Sequence, residues 1–368
     1  MLVRLLCALP ILLFVGSAHA TCDSSASEPV ETARARFERT QAALDVTPAD
    51  QRETPRFRAL QERALGELER LQCAIEGNAP PESVTRAPAG PTPYASIPIL
   101  FITDRTQTKS SAGVISFNGD LQSKAPGTDG VSYGKTTIRL PAENFEEGST
   151  LPRGITITTK SGASERVAVG TQEIVTRDRL AKALEEYKAG AQVGPVRVLL
   201  FIHGFNVNHD DALKAVARLA WGLRINLLPI AITWPSQGEI LRYWQDEQAI
   251  EPTVERLRPI FEWLLNNSQV DEVIIVAHSM GARLVTRELS DLNLQKTPLT
   301  KLVRVTFAAA DLPDEQFIEL WPRLTELPSK GWLLYTSSND IALLASRVVH
   351  GKAPVGDSRS RVFSISPA

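Results

Sequence analysis

The segment Val273-Ile274-Ile275-Val276-Ala277-His278-Ser279-Met280-Gly281-Ala282-Arg283 sets a serine between an apolar, β-branched run and the start of a helical pattern. A buried strand that turns sharply into a helix can hold a hydroxyl above the end of a sheet. There the N–H groups of the helix N-terminus favour developing negative charge. Small flanking residues suit such a turn. Gly281 supplies one, and Ala277 stands where the G-x-S-x-G pattern has its first glycine. The chemistry is nucleophilic: the Ser279 oxygen would attack an acyl carbon, and the acyl-enzyme would be hydrolysed. The same residues also fit an ordinary turn whose serine caps a helix.

A second motif favours the chemical reading. Leu199-Leu200-Phe201-Ile202-His203-Gly204-Phe205-Asn206 reads as a strand ending in His-Gly. In a nucleophile-elbow protein the loop after that strand supplies an N–H to the oxyanion hole. The candidate donors are therefore the amides of Phe205 and Met280. His203 is expected to shape the loop rather than act as base. Asp340 follows the strand pattern Trp332–Thr336 at the sheet edge where ligands sit, in the chain order serine then acid. Asp340 also fits the N-cap of a helix over 341–349. Asp311, after the strand pattern Val303–Ala308, is the alternative acid.

The elements that would position these groups form a regular series. Strand patterns at 196–202, 228–233, 273–277, 303–308, 332–336 and 361–365 alternate with helical stretches at 210–224, up to 266, 281–292, 313–325 and 341–349. The long helical stretch to Asn266 is expected to break near Pro252 and Pro259. Earlier strand patterns lie at 97–103, 131–140, 154–159 and 167–175. Apolar strands alternating with amphipathic helices imply an α/β fold, a mostly parallel sheet with helices on both faces.

Ahead of this domain (97–368), residues 21–77 carry two apolar stripes at helical spacing. The first holds Val30, Ala33, Phe37 and Leu44. The second holds Phe57, Leu60, Ala64, Leu68, Leu71 and Ile75. They predict a helical hairpin turning near Pro48. It would serve as a stabilising appendage or, alternatively, as a docking arm for a protein partner or a cover for the main domain. Residues 78–96 are Pro- and Ala-rich and read as an extended linker.

Residues 1–20 have a basic start, a short apolar run and an A-x-A ending, the pattern of a cleaved secretory signal. That predicts export to the periplasm or the extracellular medium, with no membrane span after cleavage. A lipid anchor on Cys22 is the rival reading. With Cys7 removed, Cys22 and Cys73 remain, and an oxidising compartment predicts that they pair across the hairpin. Closing a loop of that length would contribute about 4 kcal/mol.

The net charge of -2 and pI of about 6.3 give no basic face for nucleic acid. No metal-ligand spacing, P-loop or dinucleotide glycine motif is present, so no metal or cofactor is expected.

Phe201-Ile202-His203-Gly204-Phe205-Asn206, Ile232-Thr233-Trp234-Pro235-Ser236, Tyr243-Trp244-Gln245-Asp246 and Ala277-His278-Ser279-Met280-Gly281 together resemble the DUF900 family of α/β-hydrolase-fold proteins. Ser132-Tyr133-Gly134 and Ser338-Asn339-Asp340-Ile341-Ala342-Leu343 share the resemblance, which spans roughly residues 97 to 363 and leaves out the hairpin. It implies esterase- or lipase-like hydrolysis of a small ester or acyl substrate by a Ser–acid–His triad, with its histidine just beyond the final strand. After Arg361–Ile365 only Ser366-Pro367-Ala368 remain. The expectation is a hydrolase domain lacking its C-terminal end, or a variant without a base that serves as a binding protein. The other histidines fit the base poorly by position. His278 would point away from the serine, His209 would open a surface helix, and His350 would lie at the far end of a helix running back from the active edge.

Overall fold

The computed structural model describes residues 28–78, 92–124, 129–142, 151–160, 167–190, 194–338 and 340–360. The signal pattern, Cys22, most of the linker and the final strand pattern lie outside them.

The hairpin pattern forms α1 (Val30–Asp45) and α2 (Pro55–Asn78), joined through a 3-10 turn at Ala49–Gln51. Ala33, Phe37 and Leu44 face Ala64, Leu65, Leu68 and Leu71 in a buried stripe. The strands are β1 (Thr92–Thr103), β2 (Arg105–Lys109), β3 (Ile115–Leu121), β4 (Ser132–Pro141), β5 (Thr156–Lys160), β6 (Ala168–Val169) and β7 (Glu173–Val175). Then come α3 (Arg177–Ala189), β8 (Arg197–Ile202), α4 (His209–Leu223), β9 (Leu228–Ile232), a 3-10 turn (Ile240–Arg242), α5 (Tyr243–Asn266) and β10 (Glu272–His278). Last are α6 (Gly281–Leu294), β11 (Leu302–Ala308), α7 (Asp314–Thr325), β12 (Trp332–Tyr335) and α8 (Ile341–His350).

The main sheet runs β12-β11-β10-β8-β9-β1-β4-β6, with β5 on β1 and β7 on β4. From β9 to β12 the path is parallel, and β4 joins β1 antiparallel. Strand alternation sorts the core. Val198, Leu200, Ile202, Val273, Ile275 and Ala277 pack on one face. Leu199, Phe201, Ile274 and Val276 pack with α4 on the other. The chain steps from β8 to β9 in one direction, then returns past β8 to β10 and continues to β11 and β12. This reversal opens a crevice beyond the carboxyl ends of β8 and β10, where open α/β sheets bind ligands.

Several features differ from the sequence pattern. β1 begins at Thr92, inside the stretch read as linker, because Thr92–Ser96 pair with β5, and the β2–β3 pair was not anticipated. α5 runs unbroken through Pro252 and Pro259. Buried Ile250, Val254, Leu257, Ile260 and Phe261 hold it against the core, which outweighs a cost of roughly 3 kcal/mol per proline. The 167–175 pattern splits into β6 and β7, with the Gly170 N–H donating to Thr137 O at 2.9 Å between them. α3 was not anticipated; Thr176 caps it by accepting from Arg179 N, and Leu180 and Leu184 are its buried positions. The hairpin packs directly on the main domain. α2 packs on the 3-10 turn and on α8, and Gln61 Nε2 donates to the carbonyls of Val348 and Val349 at 3.2 and 2.8 Å.

Candidate functional site

β10 delivers Ser279 into a strained turn. Its φ is 48°, in the left-handed region, a conformation that costs a non-glycine residue about 1–2 kcal/mol. Three hydrogen bonds hold it there. Ser279 N donates to Ala308 O at 2.9 Å, and Ser279 O accepts from Ala282 N at 3.0 Å and Asp311 N at 3.1 Å. Over-determined strain of this kind gathers at functional sites. The Ser279 hydroxyl is buried and has no hydrogen-bond partner among the described residues.

Two glycines explain why the turn fits. A Cβ on Gly281 would stand 2.4 Å from His203 O, and one on Gly204 would stand 2.6 Å from Ser279 Cβ and 3.0 Å from His278 Nδ1. The loop after β8 therefore presses directly against the elbow. Phe205 and Met280 lie on the two sides of this contact, 3% and 0% exposed. Neither amide donates a hydrogen bond among the described residues.

His203 is a loop-shaping residue. Its ring stacks on Trp234 with centroids 5.1 Å apart. Nδ1 lies 2.8 Å from Gly204 O, and Trp234 Nε1 donates to His203 O at 2.7 Å. Burial, then the Arg105 charge, pushes its pKa well below the usual histidine range, so it remains neutral. Trp234 is accordingly core, fully buried.

His209 corrects the expectation of a solvated helix start. It is 2% exposed, with Nδ1 2.8 Å from Thr233 Oγ1 and Nε2 3.1 Å from Gln172 Oε1. Burial, then Arg105, pulls its pKa to about 3.

Asp340 takes the N-cap role that the sequence offered, and it also approaches the elbow histidine. It caps α8, accepting from Leu343 N at 3.1 Å, and its Oδ2 lies 3.8 Å from His278 Nε2. The elbow histidine thus faces the acid. Asp311 is committed elsewhere: Oδ1 accepts from Arg283 Nη2 at 3.0 Å and Oδ2 from Tyr243 OH at 2.6 Å. With both oxygens engaged and the residue fully buried, it is poorly placed to orient a base.

His350 is a correction of position. α8 does not carry it away from the elbow. Its Nε2 lies 3.1 Å from Glu247 Oε1 and 3.4 Å from Arg283 Nη2, and Arg283 reaches Asp311 beside Ser279. The helix stays at this edge because the chain after it returns there: Val355 N donates to Leu312 O and Gly356 N to Ala310 O. Glu247 is held at about 2; burial pushes it up, but His350 and Arg283 outweigh burial.

A second buried set was not singled out from sequence, although three of its members, Asn206, Ser236 and Asp246, sit in quoted motifs. Asp246 is fully buried at the start of α5. It accepts from Ser236 Oγ at 2.5 Å, Gln237 N at 2.7 Å and Asn206 N at 3.3 Å. Behind it, Arg105 donates to Val207 O at 2.6 Å, Ser236 O at 2.9 Å and Asn118 O at 3.1 Å. Arg105 is 1% exposed. A charged residue directly after a β-rich run was the available signal. Among the described residues, no group of three His, Cys, Asp or Glu is placed to hold a metal ion, and no helix is long and apolar enough to cross a membrane.

Residues 182–360 match the model of a family described as alpha/beta hydrolase of unknown function, DUF900. The match takes in the crevice, the elbow and α8, and leaves out the hairpin, β1 to β7 and Arg105. No curated protein and no solved structure matches the chain.

Proposed function

We propose, from the premise that residues 182–360 belong to the α/β-hydrolase family DUF900, that the protein is a serine hydrolase cleaving small carboxylic esters through an acyl-enzyme on Ser279. The observation that carries this reading is the strained, buried Ser279 turn at the β8/β10 crevice, tightly pressed by Gly204. The Ser279 oxygen attacks the acyl carbon and its proton passes to a base. The Phe205 and Met280 amides stabilise the tetrahedral oxyanion, the alcohol leaves, and water then releases the acid. Asp340 supplies the acid of the charge-stabilising pair. Export and a Cys22–Cys73 disulfide complete the proposal; two titratable thiols in denatured, unreduced mature protein would remove the disulfide from it.

A second reading, a hydrolase fold used for binding, is favoured by one observation: the Ser279 hydroxyl has no partner among the described residues. A fluorophosphonate probe separates the two. Labelling of the protein that is lost in Ser279→Ala supports the esterase. Well-folded protein that does not label at any pH supports the binding fold.

A further inference from the structure

We infer that Asp246 is a positioning residue for the loop 204–207, acting with Ser236 and Arg105 to fix the direction of the Phe205 amide. The assignment rests on reading Ser279 as a nucleophile.

The backbone makes the need for such a device specific. Asn206 has φ 60°, in the left-handed region. This turns its N–H away from the β8 ladder and into the interior, where a donor without an acceptor is costly. Asp246 Oδ2 is the acceptor it meets, at 3.3 Å. The next N–H, of Val207, donates to Ser236 Oγ at 3.2 Å, and that hydroxyl donates in turn to Asp246 Oδ2. The Val207 carbonyl accepts from Arg105. Both peptides after Phe205 are therefore fixed. On the other side His203 O is held by Trp234 Nε1. The carbonyl of the Phe205 amide's own peptide, Gly204 O, lies 2.8 Å from His203 Nδ1, so the direction of that amide is set by this contact together with the two peptides fixed after it.

The electrostatics fit a device built for fixed geometry. Two segments at first without a role, Ile232–Ser236 and Tyr243–Asp246, meet here through the Ser236–Asp246 hydrogen bond. Burial raises the Asp246 pKa to about 6 against the pull of Ser236, Gln237, Asn206 and Arg105. The charged groups around it are Arg105 and, beyond Arg105, Asp104, whose carboxyl accepts from Thr253 Oγ1 at 2.8 Å. An apolar residue at 246 would fill the space but accept none of the three donors.

Asp246→Asn is the discriminating variant because it keeps shape. Its Oδ1 still accepts from Gln237 N, but an NH2 group then faces the Asn206 N–H and loses that contact. The measurement is phosphonylation by a fluorophosphonate over a range of concentrations, which separates the limiting rate from the binding term, alongside thermal melting. The expected result is a limiting rate reduced about 10- to 100-fold, as for loss or misplacement of an oxyanion donor, with the binding term within about threefold. Ser236→Ala, which removes one link, should reduce the limiting rate less, by about 3- to 10-fold, and serves if the first variant does not fold. A limiting rate equal to wild type in the folded variants, or a loss confined to the binding term, overturns the assignment while Ser279 stands. Wild-type protein that does not label overturns both.

Discussion

Two buried arginines flank the crevice, and they are held in opposite ways. Arg283, behind the elbow, donates to the Asp311 carboxylate, to Tyr243 OH and to Glu247. Burial alone would lower its pKa, but Asp311, Tyr243 and Glu247 outweigh that and raise it. Arg105, behind the 204–207 loop, donates to backbone carbonyls instead, and burial lowers its pKa to about 10 despite Asp246 and Asp104. The Arg283 cluster is mostly side-chain pairing, with one main-chain bond from Arg283 Nε to Asp311 O at 2.7 Å. The Arg105 cluster directs its guanidinium mainly to main chain. The difference separates a stabilising device from one that sets the direction of a loop.

The largest expected effect tests that separation. Arg283→Met leaves Asp311 buried with one partner lost, and breaking a buried pair from one side costs about 3–5 kcal/mol. Urea unfolding should show this, while any folded fraction labels at close to the wild-type rate. Arg105→Met should do the reverse: a smaller loss of stability and a larger loss of labelling rate. If both variants lose stability and rate in the same proportion, the comparison fails. Tyr243→Phe should cost less, about 1–3 kcal/mol, because it leaves one Asp311 oxygen unsatisfied and removes one acceptor from Arg283, while the Arg283–Asp311 pair itself remains.

Much of this arrangement was legible in sequence, for a physical reason. The elbow and the His-Gly loop are short-range features: a strand, a turn and small residues fix them locally, so the turn at Ser279 and its contact with the loop after β8 could be located in advance. The N-cap position of Asp340 was legible for the same reason. Arg105 and Asp246 were not given roles, because their partners lie far along the chain; Arg105 to Ser236 and Asp246 to Asn206 are contacts only the folded sheet creates. His350 was misplaced for a related reason. Helical rise gives the length of α8, but the direction of the helix depends on the return of residues 351–360 to the loop after β11.

Asp246 and Glu247 are adjacent at the start of α5, yet pH should act on them with opposite sign. The Asp246 pKa is raised from 3.8 to about 6. Its folded form holds a proton more tightly than the unfolded chain, so the associated stability is full below 3.8 and is lost as pH rises through about 6. The Glu247 pKa is lowered from 4.5 to about 2. Its contribution is present above 4.5 and is lost as pH falls through about 2. Comparing urea midpoints at about pH 4 and about pH 7, Asp246→Asn should flatten the wild-type decline by an amount on the order of 2 kcal/mol. Glu247→Gln should flatten only the more acidic limb, by about 1 kcal/mol, since Glu247 is partly open to solvent. Variants that flatten the same limb would show that the two carboxylates respond as one cluster.

The smallest effects concern the hairpin, which reaches the same edge from outside the matched family segment. Its ties differ in depth. Gln61 is buried and its amide donates to two carbonyls in the last turn of α8, so Gln61→Ala should cost about 1–2 kcal/mol. Arg347 pairs with Asp45 at 2.7 Å, with side chains 27% and 34% exposed, and Arg347→Ala should cost no more than about 0.5 kcal/mol. Both changes loosen α8, which carries Asp340 at its start and His350 at its end, but only the buried one should move the labelling rate of Ser279. If Arg347→Ala slows labelling as much as Gln61→Ala, the hairpin acts on the site through surface charge. If neither does, its packing supports α8 without setting the geometry at the elbow.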